Sequence, residues 1–138
     1  MATVELDPKD LLSESESEEV SEGAHIVLTP SAYDVPRSLT VERDVVQHLL
    51  KIIFRYFDQE RAVVKEVAPD LVARLGETSR KVLGFELKEP PARAHDIAIL
   101  LARGVEAQLN QATEASERLN YRLIRKVIDS KLELLLAE

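Results

Sequence analysis

The chain has 138 residues, 25 acidic against 18 basic for a net charge of −7, 45% hydrophobic content and no cysteine. Length predicts one domain with a tail. The lack of cysteine excludes disulfide scaffolds, thiolate zinc sites and cysteine nucleophiles, and the acidic balance argues against a protein that coats duplex nucleic acid. No apolar run approaches the ~18 residues of a transmembrane helix. The opening MATVELDPKD lacks the basic-then-apolar layout of a secretory signal. The expectation is a protein of the cytoplasm, or of the interior of an assembled particle, that is not secreted.

The charge is concentrated at the start. Residues 1–22 hold eight acids and one base, Lys9, leaving 17 acids and 17 bases in a neutral body. The run Ser13 to Gly23 has one apolar residue, so residues 1–23 are expected to be a disordered acidic tail. Glu14, Glu16, Glu18 and Glu19 are its candidate contacts for a partner with a basic surface. Ser13 and Ser15 each have a glutamate three residues on, a pattern that acidophilic kinases accept. Residues 24–39 read as an extended connector, with a β-prone run from His25 to Thr29 held out of helices by Pro30 and Pro36.

Residues 40–138 are expected to form an all-α domain. Thr40 suits an N-cap, and Val45, Val46, Leu49, Ile53, Phe57 and Val64 recur at the spacing of a helical face up to Pro69. A second helix is predicted from Pro69 to Leu83 on Leu71, Leu75 and Val82, with Gly84 as its C-terminal stop. Pro90 and Pro91 are a firm break. Beyond them the stripe Leu101, Val105, Leu109, Ala112, Ser116, Leu119, Leu123 and Val127 keeps phase through Asn110–Glu117, which favours one helix of about 46 residues, roughly 69 Å, over a break near Asn110. The product is an extended antiparallel helical hairpin or bundle of two long helices and one short one. Such a hairpin leaves Ile52, Phe54, Ile99, Leu100, Ile124, Ile128 and Leu135 uncovered and predicts a homo-oligomer.

Little in the chain signals chemistry. No glycine-rich phosphate loop, GxSxG elbow or HExxH is present. Asp44 and His48 share a spacing of four without the further ligands a metal needs, and His95 and Asp96 are neighbours that point apart on a helix. No catalytic residue, metal or cofactor is expected. Arg118, Arg122 and Arg125 share one helical face and are read as a partner-binding row for an acidic segment, with nucleic acid and membrane both disfavoured.

The segment Pro90 to Leu101, PPARAHDIAILL, resembles the Pro/His-Asp-hydrophobic stretch of small helical HEPN-type domains, some of which are RNases with an Arg-x4-6-His motif. Here Arg93 and His95 have one residue between them, so that motif is not met. The function expected is that of a non-enzymatic assembly or adaptor subunit, as in a virion or other bacterial assembly. The alternative is a small nucleic-acid-binding or RNase-like (HEPN-type) regulatory module.

Overall fold

The computed structural model describes residues 2–7, 16–21, 24–28 and 35–137, with the backbone path alone for 16–21 and 24–28. Its strands are β1 (Ala2–Glu5), β2 (Glu16–Ser21), β3 (Ala24–Leu28), β4 (Ser38–Asp44), β5 (Leu49–Arg55), β6 (Ala62–Ala68), β7 (Leu71–Gly76) and β8 (Val82–Lys88). The helices are α1 (Ala94–Gln111), α2 (Ala115–Val127) and, after a π-helical turn at Ile128–Leu132, the short α3 (Glu133–Leu136). Six strands form an antiparallel sheet in the order β1-β4-β5-β8-β7-β6, and β2 pairs with β3 separately.

The all-α expectation is therefore wrong over residues 40–88. Thr40 is the middle of β4, opposite Ile53, and caps no helix. In β5 the buried residues are Leu50, Ile52 and Phe54, an alternation of period two interleaved with Lys51, Ile53 and Arg55. Pro69 opens no helix. It starts the two-residue β6–β7 turn, where Asp70 adopts the left-handed conformation (φ 64°). Gly84 stops no helix either. It lies inside β8, where a Cβ would sit 2.4 Å from the carbonyl oxygen of Ile52.

The acidic tail is corrected in the same way. Ala2–Glu5 is the edge strand beside β4. The Leu6 amide donates to Arg37 O at 2.8 Å, the Leu6 side chain is buried, and the Thr3 and Thr40 hydroxyls lie 2.9 Å apart. Glu16–Ser21 pairs with Ala24–Leu28, so the β-prone run takes the acidic segment of its own chain as its partner. Ser13, Glu14 and Ser15 lie outside the described residues.

The helices cover one face of the sheet. Leu39, Val41, Leu50, Ile52, Phe54, Leu71, Leu75, Phe85 and Leu87 meet Ile97, Leu101, Val105, Leu123, Ile124 and Val127 in one core. Each such side chain contributes about 1.5–3 kcal/mol by leaving water. Of the apolar residues expected to need a second chain, Ile52, Phe54, Ile124, Ile128 and Leu135 are buried within this one, while Ile99 and Leu100 are half-buried on α1. Gly104 lets α1 approach the sheet, since a Cβ there would be 3.0 Å from Leu71 Cδ2.

The single long helix is also corrected. The chain turns at Ala112–Glu114, with Ala112 (ψ 136°) and Glu114 (ψ 132°) both extended. Arg118 folds back over this turn, its Nη1 donating to Leu109 O (2.7 Å) and Ala112 O (3.2 Å), and so adds a charged donor to carbonyls at and just beyond the end of α1. The extended Glu114 is the conformation a residue preceding proline prefers, and Ala115 is a first-turn position. Ala115→Pro is expected to leave the melting temperature unchanged or raise it slightly. A continuous helix would instead lose about 3 kcal/mol.

Candidate interaction surface

Strand alternation gives the sheet a second face with no helix on it among the described residues. Register places Glu42, Lys51 and Glu86 in one row across β4, β5 and β8, with Val72 and Glu66 continuing it on β7 and β6. The adjacent row runs Thr40, Ile53, Gly84, Arg74, Val64. Both charge signs alternate here, and Arg74 pairs with Glu86 at 3.3 Å. That ion pair is half-exposed and contributes little by itself.

A register shift between Arg74 and Leu75 sets one extra residue, Leu83, into β8. Val82 is fully buried on the helix side, and Leu83 lines a cavity of about 420 Å³ on the open side. Ile53, Leu83 and Ala62 supply its apolar surface, and Arg55, Arg74 and Asp58 its polar surface. Phe57 beside it is 56% exposed, with the Arg37 guanidinium 5.2 Å from its ring centroid.

Glu60 anchors the loop over this cavity. Its carboxylate accepts from the amides of Thr78 (2.9 Å) and Ser79 (3.0 Å) and from the Ser79 hydroxyl, and it lies against Gly76. Burial alone would raise the Glu60 pKa. The Ser79 hydroxyl, the two amides and the nearby Lys81 charge outweigh it and hold the carboxyl below its ordinary value. Behind the loop Tyr56 turns inward. Its hydroxyl donates to Val82 O (2.8 Å) and accepts from Asn120 Nδ2 (3.0 Å), while Asn120 Oδ1 accepts from the Val82 amide (2.8 Å). This closed, buried triangle joins α2 to β8 and to the residue that follows β5, and keeps the loop in place.

No family model, curated protein or solved structure matches this chain. The assignment of a site therefore rests on geometry. Among the arginines singled out by spacing, Arg118 caps α1, and Arg125 bridges to α1 through Glu106 (2.7 Å) and pairs along its own helix with Asp129 (3.1 Å). Arg122 lies half-buried on the same helix. The backbone brings the acidic strand carrying Glu16, Glu18 and Glu19 alongside this helix within one chain. The open-face residues Ile53, Leu83, Arg55 and Arg74 were not singled out as a site by the sequence pattern. The available signal was the period-two order Leu50, Ile52, Phe54, Tyr56 with Lys51 and Arg55 between.

Asp44 Oδ1 accepts from the Gln47 amide at 3.0 Å, and His48 takes a left-handed turn conformation (φ 52°). His95 Nδ1 lies 3.5 Å from Glu133. Among the described residues no three potential ligands cluster as a metal site, and no helix is long and apolar enough to cross a membrane. The likeness of Pro90–Leu101 to HEPN-type domains falls on the first turns of α1, which packs on a sheet that an all-α domain does not have.

Proposed function

We propose that the chain is a non-enzymatic assembly or adaptor subunit that joins a second copy of itself across the open face of its sheet, in the cytoplasm or within an assembled particle. The observation that carries this reading is the one-sided cover of a six-stranded sheet. Ile53 and Leu83 are left half-exposed on that face, around a cavity and amid charges of both signs. An isologous two-fold contact needs a surface that complements itself, and the neighbouring Glu42, Lys51, Glu86 and Arg74 offer each copy both partners of an ion pair. Engagement of Arg118 and Arg125 by the chain's own carbonyls and carboxylates supports a structural use of that row over contact with nucleic acid.

Light scattering between about 1 and 200 µM tests the proposal. The expected result is a mass rising toward twice the 15.5 kDa of one chain. Ile53→Glu, at a half-exposed position, is expected to restore the monomer while far-UV circular dichroism and melting temperature stay nearly unchanged. The mass of a single chain at every concentration would overturn the proposal.

A further inference from the structure

A second cavity lies on the helix side of the sheet, where the edge strand β6 and the β7–β8 turn meet the junction of α1 and α2. It is independent of the open face. Its volume is about 180 Å³, and Lys65, Arg80, Gln108, Thr113, Glu117 and Tyr121 contribute to its lining. That is below the about 300–1,000 Å³ of drug-sized sites and suits one small molecule.

The lining brings two kinds of group together. Lys65 lies opposite Ala73, a residue buried under the helices, so alternation along β6 places the lysine on the helix side at the sheet edge. Arg80 is held in the left-handed conformation (φ 65°). Neither side chain makes an ion pair among the described residues. Against these cations stand two acceptors. Glu117 lies in the first turn of α2, whose N-terminus has no side-chain cap. Gln108 is 6% exposed, and its Oε1 is the one buried side-chain polar atom without a hydrogen-bond partner among the described residues. An acceptor buried without a donor costs stability, and native proteins keep few of them. Tyr121 adds a phenol. Burial, with the Glu117 charge, holds its pKa above the ordinary value against the opposing pull of Arg80, so it remains a neutral hydroxyl.

We infer that this cavity binds a free polar α-amino acid, its carboxylate held by Lys65 and Arg80 and its ammonium by Gln108 Oε1 and Glu117. A simple anion would satisfy the cations but would meet the Glu117 carboxylate and leave the Gln108 oxygen without a donor. A simple amine would do the reverse. Only a molecule with both groups meets the whole lining.

Calorimetric titration of the full chain with L-serine, L-glutamine and L-aspartate, with acetate and ethylamine as controls, tests this. Saturable heat from at least one amino acid, with neither control binding, is the expected result. Lys65→Ala and Glu117→Gln, both at surface-accessible side chains, are each expected to weaken binding about tenfold or more. Gln108→Leu is expected to abolish it while the ligand-free variant melts at the same temperature or higher, which a purely structural glutamine would not permit. Absence of heat from all three up to about 10 mM would overturn the inference. So would acetate binding as tightly as the amino acids, or unchanged affinity in the Lys65 and Glu117 variants.

Discussion

Asn120→Leu is expected to lower the stability of the protein by about 2–4 kcal/mol. The side chain is 5% exposed, and both ends of its amide are engaged, Oδ1 with the Val82 amide and Nδ2 with the Tyr56 hydroxyl. Leucine fills nearly the same volume, so little of the loss comes from a cavity. It comes from the Val82 N–H, which is buried and has no water to turn to, and from the weakened anchoring of Tyr56. An orphaned buried donor costs about 1–3 kcal/mol, and a broken network adds to that. The urea midpoint should fall with the slope of the transition unchanged. Tyr56→Phe removes the other end of the same triangle, and the double variant should cost less than the sum of the two. An unchanged midpoint for Asn120→Leu would place the residue on a solvated helix face.

Gly84→Ala is the second large effect, and it separates strand from helix at one position. Were Gly84 the residue after a helix, its replacement would act only through a strained terminal conformation. In the sheet the added methyl meets the Ile52 carbonyl oxygen at 2.4 Å, and the obstacle is the backbone of the neighbouring strand. A flexible side chain can swing aside, but β5 is held on both sides by β4 and β8 and cannot yield without breaking ladder hydrogen bonds. Overpacking of this kind costs about 1–3 kcal/mol, and the rigid obstacle puts this case at the upper end. Gly104→Ala is the control. Its nearest neighbour is a leucine methyl at 3.0 Å, and alanine gains about 1 kcal/mol of helix propensity, so the net change is expected to be small. Equal melting temperatures for Gly84→Ala and the parent chain would contradict the close approach.

The misreading of residues 40–83 has a definite origin. A spacing of four residues belongs to both periodicities, being close to one helical turn and equal to two steps of a strand. Leu71 and Leu75 satisfied the helical template, but the deciding residue between them is Ala73, small yet buried on the same face. In β5 the alternation was visible. It was obscured because the outward positions include Leu49 and Ile53, so the segment read as apolar most of the way round. The continuity assigned to the third helix rested on Ala112 and Ser116, small residues that carry little hydrophobic information. The open-face site was hidden for the same reason, since its residues come from four strands and the loop between β5 and β6, and meet only through register.

Certain features were decided by local chemistry and hold whatever surrounds them. Pro90 and Pro91 separate the last strand from α1, because neither can sit inside a helix. Beyond them Leu101, Val105, Leu119, Leu123 and Val127 recur at helical spacing, and all are buried in helices. Pro69 breaks the chain before Leu71, although the sequence does not say whether a helix or a hairpin follows. The fate of residues 38–88 was decided only by the tertiary structure. A strand makes no backbone hydrogen bonds within itself and takes them all from other strands, and β5 lies between β4, nearby in sequence, and β8, some thirty residues on. The helices on one face and the sheet beneath them bury each other. That mutual cover turns a spacing compatible with two structures into strands, and leaves the opposite face of the sheet open.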